Sequence, residues 1–489
     1  MRARRIYGDS PPGRAILDAM RFTVIGHACL FIETAAGSIL VDPWLDGSCY
    51  WRSWWHFPPN TTIAPEYLAP DYVYISHYHF DHFHFPSMRR LDRRARVLIP
   101  EFGVDVMRNE VRNLGFADVV ELPHGKKVDL GHDVRVASFQ YGADDSAIIV
   151  SADGVVLADL NDCKLKDRAA AEVLAAFGRP TFVLKSHSWA QAYPNCYTAS
   201  DPRDLELLGR GDYAASFIST ISELRPRYAI PFASMVGFLH PETLQYNAHA
   251  VTPPDVKKAF DCAGVAGSEL VVMSPGDRWD SAKGFTLGTH DAYAYREKTL
   301  AQLAERVRPT IERAMAEERE QHADYQAFTE YMTAFARALP LPLRAYFRRP
   351  LVFHVASSPE PYWVVDVRKK AVRRERSAPG NYAAIFRMPE ALLADSIAKR
   401  ILFFVHISLR LSVELGHDGA RYDIPFWGLL SVYEQGYFPL RHALRPRALR
   451  VGWRRRREVL QLVAGALRRR TFNEQIFGNL MTPERGGPS

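Results

Sequence analysis

Cysteine is scarce in this chain, which has five among its 489 residues. An odd number of dispersed cysteines without a Cys-x-x-Cys pair argues against a disulfide framework and a finger-type zinc site, and favours a reducing, cytoplasmic compartment. No cysteine is followed by histidine two residues later, which argues against a Rieske iron–sulfur centre. Long apolar runs are lacking too. The longest, at 401–405, is too short to span a bilayer, and no signal-peptide core follows the basic start.

Charge of one sign is not in large excess, since 62 Lys and Arg face 55 Asp and Glu for a net charge of +7. The local concentrations of arginine lie at 89–96, 454–457 and 468–470. No groove-reading motif accompanies them, so we interpret them as solvated helix faces rather than a nucleic-acid site. The length favours two or three domains, at roughly 150 residues per domain.

The chain does contain a dense group of histidines, because residues 77–82 read His-Tyr-His-Phe-Asp-His directly after a strand-like run. No packing requirement explains four potential metal ligands within six residues. His77 and His79 can reach one cation if the backbone turns between them, and Asp81 and His82 then face a second. The spacing predicts a binuclear metal site at a strand end, and a chance cluster on a surface loop is the alternative.

Such a site needs a bridging carboxylate and further ligands from the ends of later strands. One predicted strand ends at Asp162, which we take as the bridge, with the mid-strand Asp159 as the alternative. The loop before the preceding strand contains no histidine. Asp145 or Asp144 would therefore complete the first cation's ligands, unless this loop only caps the next strand.

Two later histidines also follow strand-like runs. We predict His240 as a metal ligand, whereas His187 could bind metal, contact the substrate or be a structural histidine. An aromatic-rich loop over 50–59 includes Trp55. Its rings are predicted to wall a pocket and exclude water, or else to belong to the ordinary core.

The residue pattern changes near residue 290. Before it, short strand-like runs alternate with loops and a few helices, which predicts an α/β two-sheet sandwich with helices outside. After it, a stretch without glycine predicts a long helix kinked at Pro309, followed by strand-like runs and a helix that begins at Pro389. The predicted units are a catalytic domain over 15–290, a helical linker over 291–340, an α+β domain over 341–445 and a basic helical tail over 446–489.

Several of these pieces resemble the metallo-β-lactamase fold superfamily. The resemblance rests on three segments, which are Gly26-His27-Ala28-Cys29, Asp42-Pro43-Trp44 and the His-x-His-x-Asp-His signature at 77–82. It implies an αββα sandwich with the metals at one sheet edge, followed here by a helical and α+β C-terminal region. It also implies that Asp42 supports the ligands rather than binding metal. The residues expected around the metals or the substrate are His27, Asp42, Trp55, Asp144 and His187.

Over roughly residues 20–280 the chain is more closely similar to the catalytic domain of CMP-N-acetylneuraminate hydroxylase and its bacterial di-iron monooxygenase-like relatives. This likeness includes Asn161-Asp162-Cys163 and His240-Pro241, and it implies Asp162 and His240 as ligands. The Rieske domain of that enzyme has no counterpart here, which implies a separate electron donor such as a ferredoxin- or flavoprotein-type reductase. A faint sterol-carrier-like pattern covers 363–367 and 388–411.

The resemblance implies that zinc hydrolases of this fold usually take a metal-binding histidine from the loop occupied here by residues 140–145. An oxygen donor at this place makes the ligand set harder, in the sense of hard and soft ligands, and favours iron or manganese over zinc. We therefore expect a non-haem di-iron oxygenase, a hydroxylase that activates O2 at two irons and acts on a nucleotide-sugar or natural-product-like small molecule. The alternative is a zinc or manganese metallohydrolase of phosphoesters, amides or lactones. A nucleic-acid-binding role of the basic tail is a third, disfavoured by the intact ligand set. The second half could cover the site, bind a lipid-like group or form a homo-oligomer contact.

Overall fold

A computed structural model of the chain describes residues 19–60, 62–142, 144–188, 192–208, 213–458 and 460. Residues 15–18 of the predicted catalytic domain and most of the predicted basic tail, with its arginines at 468–470, lie outside the described residues. In the part that is described, no helix is long and apolar enough to cross a membrane.

The described residues before 290 contribute all strands of two large sheets and one small sheet, and one strand, β14, to a fourth sheet. Their strands are β1 Arg21–Gly26, β2 Cys29–Thr34, β3 Gly37–Val41, β4 Ser48–Cys49, β5 Trp54–His56, β6 Tyr72–Tyr74, β7 Arg96–Pro100, β8 Val119–Leu122, β9 Val128–Gly131, β10 Val134–Tyr141, β11 Asp145–Ala152, β12 Val155–Asn161, β13 Phe182–Lys185, β14 Tyr197–Ala199, β15 Tyr228–Pro231, β16 Val236–Phe238, β17 Glu269–Leu270, β18 Arg278–Asp280 and β19 Gly284–Thr286. One sheet has the order β19-β18-β1-β2-β3-β6-β7-β8 and the other β17-β15-β13-β12-β11-β10-β9, while β16, β5 and β4 form the small sheet.

The strand sequences explain why the two large sheets stack. Successive side chains of a strand point to opposite faces. In β2, Leu30 and Ile32 face the apolar layer shared with Ile148 of the other sheet, whereas Phe31 faces an outer layer with helical residues such as Met107. The helices of this part are α1 Pro65–Leu68, α2 Phe85–Met88, α3 Val106–Asn113, α4 Arg168–Phe177, α5 Pro202–Leu208, α6 Tyr213–Leu224, α7 Pro253–Ala263 and the 3₁₀ helix Leu244–His249.

The parallel strands of both sheets direct their following loops to one edge. In the first sheet β3 pairs with β6, and β6 with β7, in parallel. In the second, β12 pairs with β13, and β13 with β15, in the same way. The carboxyl ends of parallel strands meet at one edge of a sheet, where ligands bind in α/β proteins. The turn after β6 and the loop after β12 therefore converge.

The C-terminal half is helical with one further sheet. Its elements are α8 Asp291–Ala294, α9 Arg296–Arg319, α10 Tyr325–Ala338, α11 Leu341–Tyr346, β20 Leu351–His354, β21 Tyr362–Asp366, β22 Ala371–Glu375, β23 Ala384–Arg387, α12 Glu390–Lys399, α13 Phe403–Ser408, β24 Ser412–Leu415, α14 Ala420–Glu434, the 3₁₀ helix Leu440–His442 and α15 Pro446–Arg454. In place of the single long helix expected after residue 295 there are two, because Asp324 caps α10 by accepting the Ala327 N–H at 2.7 Å. Pro309 lies inside α9.

The two halves of the chain share a core. The C-terminal sheet has the order β14-β24-β23-β20-β21-β22, so its edge strand β14 comes from the first half. One apolar cluster contains Trp44, Tyr50 and Trp54 together with Phe386 and Trp427. Burial of large aromatic side chains contributes strongly to stability, so this cluster ties the C-terminal half to the sheet edge.

A buried arginine strengthens the same connection. The side chain of Arg410, before β24, is 1% exposed and forms ion pairs with Glu242 and Glu318 at 3.0 and 2.7 Å. It also donates to the Trp51 carbonyl at 3.1 Å. Because two carboxylates match its bidentate donors, Arg410 links α9, the aromatic loop and the segment after β16.

Candidate metal centre

The histidine-rich turn follows β6 and is held by a carboxylate at the end of β3. Asp42 is fully buried and has a positive φ of 44°. Its oxygens accept hydrogen bonds from the backbone N–H and the hydroxyl of Ser76, both at 2.7 Å, and from His82 Nδ1 at 2.8 Å. Because Nδ1 is engaged in this way, Nε2 of His82 faces the other donors. The supporting position expected for Asp42 fits this geometry.

His82 Nε2 lies among carboxylate oxygens. Asp81 Oδ2 is 3.3 Å from it and Asp162 Oδ2 is 3.4 Å from it. His77, His82 and Asp162 offer ligand atoms that all lie within 4.8 Å of one another. Nε2 of His82 is buried, and the carboxylates of Asp81 and Asp162 are its neighbours. Convergence of a buried imidazole nitrogen and carboxylate oxygens is typical of atoms that share a cation.

His27 also belongs to this group of ligand atoms, whereas from the sequence we expect it only beside the ligands. It directly follows β1, and its Nε2 lies 2.9 Å from Asp81 Oδ2. His27, Asp81 and His82 form a second buried set of ligand atoms within 4.8 Å. The sequence signals for His27 were its place after the first strand-like run and the Gly26-His27-Ala28-Cys29 segment of the family resemblance, which implied a position around the metals. Nothing in the sequence indicates that this strand end reaches the turn after β6, because β2 and β3 lie between them in the sheet.

Of the other two histidines of the turn, His77 lies near Asp145, and His79 packs against His77 within reach of the charge of Asp144. The ring centroids of His77 and His79 are 4.4 Å apart, and His77 Nδ1 lies 3.7 Å from Asp145 Oδ1. Burial raises the pKa of Asp145 to about 8, so a neighbouring cation would favour its ionised form. Asp144 instead accepts a hydrogen bond from Gln435 at the end of α14. Of the two aspartates that the sequence left open, Asp145 lies beside His77.

The pKa values within the group show how its buried charges are balanced. Burial opposes a charge on His82, but the carboxylates of Asp81 and Asp42 hold its pKa well above the usual value. Burial and the neighbouring imidazoles of His82 and His79 hold the pKa of His77 well below its usual value. A protonated His82 thus neutralises converging carboxylates, and a bound cation would take over that role because ligands must be deprotonated.

His79, Asp145, Asp159 and His240 lie outside the two donor sets found among the described residues, and the last two are engaged elsewhere. Asp159 is buried within β12, where its Oδ1 accepts the Asn161 N–H at 3.0 Å and burial raises its pKa well above the usual value. His240 follows β16 and accepts the Glu242 N–H at 3.2 Å through Nδ1. Burial, and then the charge of Arg410, lower the pKa of His240 to about 4. Coordination by either residue stays a sequence-based expectation.

His187 and Trp55, which were expected around the metals or the substrate, lie outside the two donor sets of the described residues. His187 lies two residues after the end of β13 and is fully buried. Its Nδ1 is 3.2 Å from the Ser234 hydroxyl, and it lines a small cavity with His27. Burial lowers its pKa to about 3. Trp55 is half-buried against the apolar cluster that α9 contributes to. The tryptophans beside the site are Trp44 and Trp54, whose ring centroids lie 5.4 and 6.3 Å from that of His27.

An aromatic wall covers the turn. Tyr50 donates a hydrogen bond of 2.5 Å to Asp81 Oδ1 and packs on Trp54 with ring centroids 4.9 Å apart. Phe404, from α13, lies edge-to-face on His79 at 5.6 Å. Sequence reasoning identified the loop that carries Tyr50 but neither its bond to Asp81 nor the approach of Phe404, since both depend on how the two halves pack.

Comparison with known families agrees with this architecture. Residues 21–157 match the model of the beta-lactamase superfamily domain. The N-terminal half of the chain has the metallo-β-lactamase fold. The predicted fold class is thereby confirmed, with a helical and mixed C-terminal region after the sandwich.

Among relatives in sequence is a Mycobacterium tuberculosis protein that carries the name of a Rieske 2Fe-2S iron–sulfur protein. It is 31% identical over 257 residues, which is 48% of this chain and 48% of that protein. A protein of the same name from Mycolicibacterium smegmatis is 32% identical over 254 residues, again 48% of each chain. The chain thus spans about half the length of the curated relatives it matches.

Solved structures with a similar metallo-β-lactamase fold include different enzymes. CmlA, a diiron β-hydroxylase from Streptomyces venezuelae, is 15% identical, with 55% of this chain and 54% of that chain covered and a TM-score of 0.38. An isothiocyanate hydrolase from Delia radicum gut bacteria is 15% identical, with 53% and 98% covered and a TM-score of 0.39. These similarities concern the fold alone and assign no activity to this chain.

Proposed function

We propose that this chain is a non-haem di-iron oxygenase, a hydroxylase, whose binuclear centre lies at the edge where the turn after β6 meets the loop after β12. The observation that carries the proposal is the donor set itself. Carboxylate oxygens of Asp81 and Asp162 lie 3.3 and 3.4 Å from the buried Nε2 of His82. Carboxylates with imidazoles suit iron or manganese better than a thiolate-rich or all-imidazole set would.

The donors divide between two cations. His77, His79 and Asp145 would hold the first, because the His77 ring lies against that of His79 and its Nδ1 is 3.7 Å from Asp145 Oδ1. Asp81, His82 and His27 would hold the second, and Asp162 would bridge the two. Coordination by His240, whose pKa is lowered by burial and by the charge of Arg410, stays a sequence-based expectation. His27 would supply a further imidazole to the second cation.

Two irons held in this way would supply O2 activation, with electrons from an external ferredoxin- or flavoprotein-type donor. The names of the mycobacterial relatives, which refer to a Rieske cluster, are consistent with such an electron supply. The chain's own residues prepare the site. Asp42 fixes His82 with Nε2 towards the metals, and Tyr50 holds Asp81 Oδ1 so that Oδ2 faces the metals. Phe404 and Trp54 exclude water from their side of the turn.

A binuclear hydrolase remains the second candidate because one side of the centre is open. The Asp145 and Asp162 side chains are 21% and 30% exposed, whereas those of His77 and His82 are 3% and 0% exposed. Water could therefore reach the metals at the carboxylates and serve as the nucleophile of an ester, amide or lactone hydrolysis. A nucleotide-sugar or natural-product-like small molecule is the proposed substrate in either case.

Elemental analysis of protein purified without added metal is the first test, and two iron atoms per chain are expected. The iron-loaded protein is then reduced without oxygen and mixed with O2 while its absorption and Mössbauer spectra are recorded. The oxygenase proposal predicts oxidation of both irons with coupled spectroscopic signals. Two zinc ions per chain and ester turnover without O2 would overturn it in favour of hydrolysis.

Asp145→His provides a sharper comparison, because it exchanges the oxygen donor for an imidazole. We expect the metal preference to shift from iron towards zinc, since imidazole suits zinc. Asp144→Asn tests the other aspartate that the sequence left open, since Asp144 accepts a hydrogen bond from Gln435 while its charge also acts on His79. Equal iron-to-zinc ratios in the wild type and Asp145→His would remove Asp145 from the ligand set.

A further inference from the structure

Exposed large apolar side chains are concentrated in one short segment of the described chain. Elsewhere they are scattered singly, as is usual for protein surfaces. Between residues 440 and 460 they recur every few residues, with Leu444 at 70% and Trp453 at 71% exposure. The exposed members of this segment are Leu440, Leu444, Leu449, Trp453 and Leu460. Such a concentration indicates a contact surface.

The inner side of this segment is fixed to the rest of the molecule. Arg447, in α15, donates to Glu121 at 2.7 Å and to the Phe102 carbonyl at 2.7 Å, and Arg454 forms an ion pair with Glu101. Val451 is buried. Because these contacts hold one side of α15 in place, Leu449 and Trp453, which lie one turn apart, are presented outwards.

The outer side is basic as well as apolar. Arg456 lies over the Trp453 ring at 5.0 Å, and Arg457 is exposed. Other exposed arginines of the segment are Arg441, Arg445 and Arg450. We call the set of Leu440, Leu444, Leu449, Trp453, Arg441, Arg445, Arg456 and Arg457 the α15 face. Its positive charge calls for an anionic partner and its apolar side chains for one that accepts hydrocarbon.

We propose that the α15 face docks on the surface of a membrane that contains anionic lipids. A helix with arginines beside tryptophan and leucine lies in the plane of a bilayer, with its apolar side chains among the acyl chains and its cations at the headgroups. A nucleic acid matches only half of this surface. Its phosphates would pair with the arginines and a base could stack on Trp453, but the exposed leucines would stay in water.

Docking through this face would bring the candidate metal centre near the lipid surface. Arg455 donates to the Gly142 carbonyl at 2.5 Å, and the Gly142 N–H donates to Glu458 at 2.9 Å. Gly142 belongs to the loop that leads to Asp145. The docking proposal itself does not depend on which metals the centre holds or on whether it is catalytic.

The test is co-sedimentation of the full chain with vesicles of phosphatidylcholine alone or with 30% phosphatidylglycerol, a composition chosen at roughly the anionic content that attracts polybasic segments. We expect at least about tenfold tighter binding to the anionic vesicles, weakened by salt because the cations are screened. Equal binding to both vesicle types, or no binding to either, would overturn the proposal. So would tight, salt-sensitive binding to single-stranded DNA without vesicle binding.

Variants separate the apolar and charged contributions. Leu449→Glu with Trp453→Glu should lower binding to anionic vesicles by about tenfold or more, as should Arg456→Gln with Arg457→Gln. Leu341→Glu is the matched control, since Leu341 is 69% exposed but lies in α11. Equal losses in the control and the α15 variants would overturn the proposal. Circular dichroism and thermal unfolding of each variant show that it is folded, and metal content reports separately on the metal centre.

Discussion

Replacement of His27 distinguishes a metal ligand from a hydrogen-bonding neighbour of one. The His27 Nε2 lies 2.9 Å from Asp81 Oδ2, a separation that suits either a hydrogen bond or two ligands on one cation. His27→Gln keeps an N–H donor for Asp81 but offers a poor metal ligand, whereas His27→Ala removes both. The two roles therefore predict different outcomes for the glutamine variant.

The two roles of His27 also predict different losses of metal affinity. Loss of a hydrogen bond to a ligand weakens metal binding by about 10–100-fold, which is about 1.4–2.7 kcal/mol. Loss of a direct donor removes one of the four proposed around the second cation, and we expect more than about a 100-fold loss for that cation. Both variants should then retain one metal per chain instead of two, while the cation at His77 and His79 stays bound.

The assay is metal stoichiometry by mass spectrometry, combined with chelator competition and the visible spectrum of the cobalt-loaded protein. His84→Gln is the control, because His84 is buried and bonds to Ser87 at 2.8 Å but lies outside both donor sets. If His27→Gln binds two metals with affinities within about tenfold of the wild type, His27 is only a hydrogen-bond donor to Asp81, and the proposed four-donor set is wrong.

Three further predictions concern stability and support of the site. Tyr50→Phe should weaken metal binding by about 10–100-fold in chelator competition, because it removes the hydrogen bond to Asp81; an unchanged affinity would contradict this. Arg410→Met should lower the free energy of unfolding in urea by about 3–5 kcal/mol, whereas Arg373→Met, in an exposed pair, should change it by less than about 1 kcal/mol. Burial raises the pKa of Asp423 to about 7, above its unfolded value. The protonated Asp423 therefore contributes to the free energy of unfolding at acid pH. This contribution, roughly 4 kcal/mol at most, is lost as pH rises towards 7. Between pH 5 and pH 8 the free energy of unfolding in urea should fall less for Asp423→Asn than for the wild type. An equal fall in both proteins would refute the raised pKa of Asp423.

Much of the sheet edge that carries the candidate metal centre could be predicted, because each of its segments is recognisable from the residues next to it in the sequence. The turn at 77–82 follows a strand, and Asp42 and Asp162 stand at the ends of two others. Strand ends are visible as apolar runs that stop at polar residues, and parallel pairing gathers such ends at one edge. The structure accordingly places Asp162 beside His82 and leaves the mid-strand Asp159 apart.

The remainder of the site depends on contacts that the sequence does not encode locally. Tyr50 reaches Asp81 because the aromatic loop folds back at positive φ values from Tyr50 to Arg52. Phe404 reaches His79 from 325 positions further along the chain, which no periodicity indicates. Trp54 rather than Trp55 faces His27 because successive strand residues point to opposite faces, and only the register of β5 with its neighbours decides which one faces inwards.

The apolar core crosses the point near residue 290 where the sequence pattern changes, and this explains why the C-terminal half belongs to the site. Strand β14, from the first half, forms the edge of the C-terminal sheet, and Trp44, Tyr50 and Trp54 share a cluster with side chains of that half. Without this half those rings would face water, and Tyr50 would lose the packing that keeps its hydroxyl on Asp81. The C-terminal half thus contacts the candidate metal centre through Phe404 and supports Tyr50, although it supplies no residue to either donor set of the described chain.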